Sequence, residues 1–377
     1  MTYFIQVFGC AANVADGKRI ETYYEDQGHK KVVFIEDADE VIVVTCMIRE
    51  SAEARVYGLV RNLGKKRRTL PRIIVTGCMA GMIVRDTTGK LLKRIKKRIP
   101  QVEFIPVEEL GLPESGIHKN ETHALVNISN GCNNFCTYCV VPYARGKEIS
   151  RPYEEIMKEC QDAIAHGVQT ITLVGQNVNS YGSDLVNNAE CKMQNVELAK
   201  SNYITYVKHL GKMRIPTLFP HLLKEVSELP GLVSVDFISS NPWDFSSELI
   251  DVIASHETIS RQIHLPVQSG DDEVLKRMNR WYTRDEYMNL VKSIREKVPS
   301  VSFSTDIIVG FPGETKEQFE NTVDLCKKVG FIKAYVAIYS DRPMTLAHKT
   351  LGDDIPFAEK KRRWKVLEEL IYKGNKK

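Results

Sequence analysis

The sequence predicts an α/β protein of two domains, an open parallel sheet followed by a partial (βα)6 barrel. At 377 residues the chain is too long for one ordinary compact domain. Short β-branched runs alternate with charged helical stretches, a pattern typical of parallel sheets covered on both faces. The polar segment "LGLPESGIHKNE" separates two such series. We therefore predict domains at 1–118 and 122–350, and a C-terminal helix at 351–377.

The first series contains four predicted strands around a helical stretch at 50–63. Each strand is a short run rich in β-branched residues, bounded by polar or glycine positions. These strands are "TYFIQVF", "KVVFIE", "VIVVTC" and "RIIVTGC".

The second series contains six predicted strands, which favours a barrel or partial barrel over an open sheet. Its helices are predicted at 153–166, 246–256 and 315–329, and 183–214 is interpreted as an insertion. The final helix is amphipathic, with Trp364, Leu367, Leu370 and Ile371 on one side. The strands are "ALVNIS", "TITLVG", "LVSVDFI", "QIHLPV", "VSFSTDIIVG" and "AYVAIYS".

The composition predicts a cytoplasmic protein with no membrane partner. No apolar run reaches the roughly eighteen residues that span a bilayer, and the N-terminus lacks the features of a signal peptide. In a reducing compartment, the nine cysteines are better explained as metal ligands or buried thiols than as disulfides.

Positive charge is concentrated in one stretch, although the formal net charge is only +4. Residues 61–98 contain thirteen lysines and arginines against one acid, Asp86. Two interpretations are open: a solvated helix face with Leu91, Leu92 and Ile95 turned inward, or a surface that contacts nucleic-acid phosphates.

Three cysteines in "NGCNNFCTYCVVPYARG" form the most informative pattern. Cys132, Cys136 and Cys139 follow the first strand of the second series, where the loops of a βα-barrel carry the chemistry. Three thiolates suit a [4Fe–4S] cluster and leave one of its irons open for a substrate or cofactor. Structural zinc sites need four ligands; no second C-x2-C pair occurs, and His123 lies across a strand, so zinc is disfavoured.

The spacing C-x3-C-x2-C, with Tyr138 before the last cysteine, resembles the radical S-adenosylmethionine (SAM) enzymes. The surrounding "GCNNFCTYCVVPYARGKEISRP" resembles the methylthiotransferases among them, and the MiaB-type tRNA methylthiotransferases in particular. The resemblance extends along the whole chain through "LVGQNVNSYG", "QIHLPVQSG", "STDIIVGFPGET" and "AIYSDRP". It implies an N-terminal α/β methylthiotransferase domain followed by a radical-SAM barrel, with SAM bound at the open iron.

The resemblance also implies a second [4Fe–4S] cluster, on Cys10, Cys46 and Cys78. Each of these cysteines ends or follows a predicted strand of the first domain. The carboxyl ends of parallel strands meet at one edge of a sheet, where open α/β sheets bind their ligands. The three remaining cysteines have no such company and are expected to be ordinary thiols: Cys160, Cys191 and Cys326.

By the same resemblance, the expected reaction adds a methylthio group to C2 of N6-isopentenyladenosine next to the anticodon of tRNA. The segment "GQNVNSY" favours this acceptor. Three alternatives remain open: N6-threonylcarbamoyladenosine in tRNA, an aspartate of a ribosomal protein, and a non-enzymatic iron–sulfur RNA-binding factor. The implied partners are a tRNA anticodon stem-loop, an electron donor such as a flavodoxin or ferredoxin, and a sulfur donor.

Several polar residues at strand ends or in the cluster loop are candidate SAM contacts, although they would equally satisfy turn backbone. Arg145, beside the cluster loop, is a place to receive a phosphate or the SAM carboxylate. The candidate SAM contacts are Tyr138, Gln176, Asn177 and Gln268.

The chain departs from the family pattern at three points. Ala11, Ala12 and Val14 replace the residues usual after Cys10, and Met344 stands where relatives often have a glycine. Relatives usually continue into a small TRAM β-barrel that binds tRNA. Because this chain ends at Lys377 after one helix, we expect that domain to be absent or truncated and RNA binding to involve 61–98.

Overall fold

A computed structural model describes residues 1–47, 50–66, 69–113, 116, 121–187, 203–209 and 213–374. The predicted thiol Cys191 and part of the predicted insertion at 183–214 lie outside these ranges. Within them, no helix combines the length and apolar character needed to cross a bilayer.

The N-terminal domain is a five-stranded parallel sheet with strand order β2-β1-β3-β4-β5. The strands are β1 (Thr2–Phe8), β2 (Lys30–Lys31), β3 (Glu40–Thr45), β4 (Arg72–Gly77) and β5 (Glu103–Phe104). The helices are α1 (Ala11–Asp26), α2 (Glu50–Lys66), α3 (Cys78–Arg85) and α4 (Lys90–Lys96).

Strand β3 is buried along its whole length because helices cover both faces of the sheet. Val41 and Val43 pack in the core that contains residues of α2. Ile42 and Val44 point to the other face and pack in the core that contains residues of α1. The predicted parallel α/β architecture is therefore confirmed.

The predicted strand "KVVFIE" is mostly wrong. Only Lys30–Lys31 pairs with β1, and Ile35–Asp37 forms a single 3-10 turn. This run lies at the sheet edge, where Val33 is 83% exposed and Phe34 is 66% exposed. Although Val32 and Ile35 pack against the core, the exposed residues between them gain little from strand pairing, and β-branched composition alone did not extend the strand.

The second domain contains six parallel strands in chain order, as predicted. β6, β9 and β12 form one sheet, and β13, β14 and β15 form another. A parallel bridge from Val235 to Ile259, just before β13, joins them. Two further pairs of strands, β7 with β8 and β10 with β11, are antiparallel and lie outside these two sheets. The described strands of this domain are β6 (His123–Asn127), β7 (Ser129–Asn130), β8 (Ile149–Ser150), β9 (Thr170–Val174), β10 (Thr205–His209), β11 (Met213–Thr217), β12 (Ser234–Phe237), β13 (Gln262–His264), β14 (Ser302–Val309) and β15 (Lys333–Ile338).

Helices on the outside of this partial barrel cover its strands. β10 and β11 form an antiparallel pair that begins within the predicted insertion at 183–214 and extends beyond it to Thr217. The helices are α5 (Val141–Arg145), α6 (Tyr153–Ala165), α7 (Ser183–Asn187), α8 (Phe219–Ser227), α9 (Ser247–Ser255), α10 (Asp272–Arg277), α11 (Arg284–Lys297), α12 (Lys316–Val329), α13 (Leu346–Thr350) and α14 (Phe357–Gly374).

The predicted apolar side of the C-terminal helix packs against the barrel. Leu367 and Ile371 of α14 are buried in the barrel core. The Trp364 indole Nε1 donates a hydrogen bond to the Val336 carbonyl of β15 at 3.0 Å. Helix α14 therefore covers the last strand.

The two domains meet where α3 packs against α5. Gly81 of α3 lies directly against the Ala144 carbonyl oxygen of α5, and a Cβ at this position would collide with it. Arg85 of α3 donates to the same carbonyl at 3.0 Å and pairs with Glu108. This contact places the edge of the N-terminal sheet beside the barrel's cysteine loop.

Candidate functional site

Cys10, Cys46 and Cys78 lie at one edge of the N-terminal sheet, as predicted. Phe8, Thr45 and Gly77, at the ends of β1, β3 and β4, stand in register with one another. Cys46 directly follows the last residue of β3, and Cys78 directly follows the last residue of β4. Cys10 lies two positions after the end of β1 and immediately before α1. The parallel register therefore brings three cysteines from separate parts of the chain to the same edge.

The Cys78 thiol is held in a setting that favours its thiolate. A hydrogen bond from Cys46 lowers the pKa of Cys78 to about 6, against the effect of burial and with the help of the Arg145 cation. The Arg145 Nε donates to the Cys78 Sγ at 3.4 Å. Cys10, which is exposed, lies with its Sγ 3.7 Å from the Asn13 Oδ1.

Arg145 belongs to α5 of the barrel domain, yet its guanidinium reaches into the N-terminal site. It is 8% exposed and pairs with Asp16 of α1 at 2.6 Å, where the carboxylate is 3% exposed. Its Nη1 also donates to the Asn130 Oδ1 at 2.8 Å. We expected Arg145 to receive a phosphate or the SAM carboxylate. In the structure its guanidinium is instead paired with the buried Asp16 carboxylate, which neutralises its charge.

The second cysteine set lies on one short loop between β7 and α5. Cys132 is buried, whereas Cys136 and Cys139 are half-buried, and each is a free thiol. Gly131, with φ 82°, turns the chain against the Lys147 carbonyl where no Cβ would fit, and its N–H donates to the Gln176 Oε1 at 2.6 Å. The loop is therefore anchored at its start by the Gln176 side chain, which accepts from the Gly131 N–H.

The pKa values of Cys132 and Cys139 are raised, so the surroundings disfavour the thiolate form of these two side chains. Burial, and then the Glu148 carboxylate, raise the pKa of Cys132. Burial, and then Cys136, raise the pKa of Cys139 to about 12. Arg280 brings a cation to this loop: its Nη1 is 3.5 Å from the Cys136 Sγ, and its guanidinium stacks on Trp243 at 4.4 Å.

The four candidate SAM contacts occupy different settings around this loop. Gln176 anchors Gly131, and Tyr138 packs on a small apolar cluster that includes Phe311. Asn177 is fully buried, with its Nδ2 on Asp244 at 2.8 Å, while its Oδ1 has no partner among the described residues. Gln268 is 9% exposed and has φ 64°.

Two family models match the chain, one for each domain. Residues 126–326 match the Radical SAM superfamily, and residues 2–101 match the uncharacterized protein family UPF0004. The first match covers the barrel with its cysteine loop, and the second covers the sheet with the other three cysteines.

Curated relatives match over nearly the full chain. A tRNA-2-methylthio-N(6)-dimethylallyladenosine synthase of Clostridium botulinum is 37% identical over 396 residues, which cover 99% of this chain and 80% of the relative. The enzyme of that name from Thermotoga petrophila is also 37% identical, over 100% of this chain and 83% of the relative. The chain belongs to this radical SAM synthase family. It is accordingly a radical SAM enzyme of the sulfur-transferase type.

Solved structures of more distant proteins share the fold of this synthase-family chain. The radical SAM methyltransferase TsrM from Kitasatospora setae aligns with a TM-score of 0.56 at 14% identity, covering 92% of this chain and 77% of that one. The cobalamin-dependent radical SAM enzyme OxsB aligns with a TM-score of 0.53 at 11% identity, covering 99% of this chain and 56% of that one.

Both cysteine sets fit iron–sulfur clusters by the chemistry of their donors. Each set offers thiols alone, the ligand type that holds such clusters. In the part of the chain that the structure describes, no three His, Cys, Asp or Glu side chains converge on a position for a single metal ion. A four-iron cluster differs, because each thiolate binds a different iron and the sulfur atoms stay further apart.

Sequence reasoning missed Arg280 at this synthase-family site, and it missed the partner of Arg145. Arg280, in "MNRWYT", is buried and contacts the Cys136 Sγ, and no spacing rule links these positions, which are 144 residues apart. The pairing of Arg145 with Asp16, 129 residues away, was equally hidden. The residues next to Arg280 and Arg145 in the sequence do not indicate which distant side chain each arginine contacts.

Proposed function

We propose that the chain holds two [4Fe–4S] clusters and uses them to add a methylthio group to C2 of N6-dimethylallyladenosine (N6-isopentenyladenosine) next to the anticodon of tRNA. Cys132, Cys136 and Cys139 would hold the cluster that binds SAM. The N-terminal cluster would be held by Cys10, Cys46 and Cys78. Bound clusters with SAM supply one-electron chemistry that can activate an aromatic C–H bond, which side-chain acids and bases cannot.

One observation carries this proposal. Arg145 is the last residue of α5, the helix that follows the barrel's cysteine loop. Its Nε donates to the Sγ of Cys78, which belongs to the other cysteine set. The two sets are therefore neighbours across the domain contact rather than separate sites. A reaction that needs sulfur from one set and SAM at the other requires this adjacency.

The chain's own residues position and shield these two sets. Arg280, itself enclosed by Trp243 and Tyr282, places a fixed positive charge beside Cys136. Arg145, whose charge is paired with Asp16, donates a hydrogen bond to the Cys78 Sγ. Hydrogen bonds to cluster sulfurs and nearby charge shift the reduction potential of iron–sulfur clusters, so these arginines would favour the reduced, more negative forms.

Two further partners follow from the chemistry of the proposed reaction. The cluster that binds SAM must receive electrons, for which we propose a flavodoxin or ferredoxin as donor. The sulfur atom that enters the nucleoside must also be replaced after each turnover, for which we propose a separate sulfur donor.

Anaerobic reconstitution of cysteine variants tests the proposal. Wild-type protein is expected to contain about eight irons per chain, and Cys78→Ala and Cys139→Ala about four each. With dithionite and SAM, Cys78→Ala should still release 5′-deoxyadenosine, whereas Cys139→Ala should not. Nucleoside mass spectrometry of tRNA should detect the 2-methylthio product with the wild type and with neither variant.

Cys160→Ala is the matched control, because Cys160 is a fully buried thiol in the barrel core. It should keep about eight irons and full activity. A wild-type chain that holds only four irons, or a Cys78→Ala variant that still makes the methylthio product, would contradict the assignment of the N-terminal set.

A further inference from the structure

A cavity of about 250 Å³ lies between the two domains, apart from both cysteine sets. Its N-terminal wall comes from α2, with Glu53 and Tyr57, and from Arg94 of α4 and Arg98 in the turn that follows. The segment after β15 closes it with Asp341 and Arg342. We call this space the arginine cavity.

Arg342 forms the buried side of the arginine cavity. It is 9% exposed, and its Nε and Nη2 are buried with no hydrogen-bond partner among the described residues. Its Nη1 is 3.8 Å from the Glu53 Oε2, which is a distant ion pair. A buried guanidinium with unused donors is costly unless an anion satisfies them.

The described acids do not balance the three arginines of the cavity. Glu53 is shared, since it accepts from Tyr57 at 2.6 Å and from Arg94 at 3.4 Å as well as facing Arg342. Asp341 pairs with His348 at 2.8 Å. The lining therefore has three arginines against two carboxylates, Glu53 and Asp341, which leaves one positive charge in excess.

The two arginines from the N-terminal domain form an exposed rim over this buried floor. Arg94 is 48% exposed, and the Arg98 guanidinium stacks over the Tyr57 ring at 4.9 Å. Several guanidiniums around a small space suit the oxygens of a phosphate group, which guanidinium binds through paired hydrogen bonds. The volume is below the roughly 300 Å³ of small-molecule sites, so it suits one phosphate with part of its sugars rather than a whole nucleotide.

We propose that the arginine cavity binds one backbone phosphodiester of the RNA substrate, with Arg342 as its buried anchor. This inference rests on the proposed function, because it takes tRNA as the substrate. Arg94 and Arg98 belong to the basic run "KLLKRIKKR", which continues the positive charge along the surface outside the cavity. Backbone phosphates are the groups through which proteins position nucleic acid without regard to its sequence.

The cavity is also connected to the reaction site. Three residues after Arg342, Thr345 caps α13, and the Ala347 N–H of that helix donates to the Thr137 carbonyl in the barrel's cysteine loop at 2.9 Å. A strand held at Arg342 is thus fixed relative to the loop that carries Cys136 and Cys139. The phosphate would act as a reference point from which the target nucleoside reaches the clusters.

Salt-dependent tRNA binding by the full chain tests this proposal. Arg342→Leu is expected to lower the affinity for unmodified tRNA about five-fold at low salt, and to reduce the slope of log affinity against log salt by about one. Arg98→Gln, at the exposed rim, should also lower the tRNA affinity and the salt slope. It provides the test if Arg342→Leu does not fold. Arg362→Gln, an exposed arginine paired with Glu359 on α14, is the control and should change neither.

The outcomes separate this proposal from the proposed function. If the Arg342 and Arg98 variants keep the wild-type salt slope while the wild type modifies tRNA, the phosphate site is wrong and the function stands. If the slope falls but no methylthio product forms with the wild type, the site stands and the function is wrong.

If inorganic phosphate binds in an Arg342-dependent way but tRNA affinity does not depend on Arg342, the cavity takes a free phosphate, and the RNA proposal is overturned. In all variants, release of 5′-deoxyadenosine without tRNA should match the wild type.

Discussion

The two cysteine sets differ in how the chain builds them. Cys132, Cys136 and Cys139 share one loop of eight residues, and their cation, Arg280, comes from the same domain. Cys10, Cys46 and Cys78 come from three strand ends, and their cation, Arg145, comes from the other domain. The first set is local and self-contained, whereas the second is complete only when the domains are in contact.

The electrostatics of the two sets differ in the same sense. In the N-terminal set, a hydrogen bond from Cys46 together with Arg145 lowers the pKa of Cys78 to about 6. In the barrel set, burial raises the pKa of Cys139 to about 12. The N-terminal set is therefore preorganised for negative charge first by its own Cys46 and then by the borrowed Arg145. Changes at the domain contact should affect that set and spare the barrel set.

The largest effect is expected from removing the borrowed cation. Arg145→Met leaves the Asp16 carboxylate, 3% exposed, without its 2.6 Å partner. Breaking a buried pair on one side costs about 3–5 kcal/mol because a buried charge is left uncompensated. We expect a loss of that order in the free energy of unfolding, measured by urea denaturation of the cluster-free protein.

The double variant Arg145→Met with Asp16→Asn is the control for this prediction. Because it removes both charges, it should recover a large part of the lost stability, and the iron content of the barrel set should stay at about four in either variant. Equal stability of the single and double variants would show that the Arg145–Asp16 pair is not what joins the domains.

A smaller effect is expected from pushing the domains apart without changing charge. A methyl group at Gly81 would collide with the Ala144 carbonyl oxygen, so α3 and α5 must separate in Gly81→Ala. Such overpacking costs about 1–3 kcal/mol. The same measurement of unfolding free energy should detect it, and loss of iron should be confined to the N-terminal set.

Gly58→Ala is the matched control for Gly81→Ala. Gly58 also lies in a helix, α2, but nothing lies within 4 Å of the position that its Cβ would occupy. Alanine there should stabilise the protein by about 0.5–1 kcal/mol, since glycine is unfavourable within helices. If both substitutions changed stability in the same direction, close packing at the domain contact would not be the cause of the Gly81 effect.

The sequence predicted the local parts of this molecule well and the non-local parts poorly. The spacing of Cys132, Cys136 and Cys139 carries its own chemistry, because all three side chains lie within one loop. The convergence of Cys10, Cys46 and Cys78 needed the inference that parallel strands end at one edge, together with a family resemblance.

Contacts between distant segments could not be predicted in this way. The partners of Arg145 and Arg280 depend on tertiary packing, which no periodicity or spacing encodes. The wrong strand at "KVVFIE" has the same origin, since Val33 and Phe34 at its centre are exposed at the sheet edge, which the sequence pattern did not show. Local chemistry is thus legible in the sequence, whereas the electrostatic link between the domains had to be seen in the structure.

The smallest expected effect concerns Met344, which links the domains through a left-handed backbone. The family resemblance leads us to expect glycine here. Met344 instead has φ 75°, a conformation that costs a side-chain-bearing residue about 1–2 kcal/mol. Met344 also packs against the core of the N-terminal domain, which offsets part of that cost. Met344→Gly and Met344→Ala both lose this packing, but only glycine relieves the backbone.

Met344→Gly should therefore be more stable than Met344→Ala by about 1 kcal/mol in urea unfolding. If alanine proved as stable as glycine, the left-handed turn would not be retained in solution, and the contact of Met344 with the N-terminal core would have to form by another backbone path.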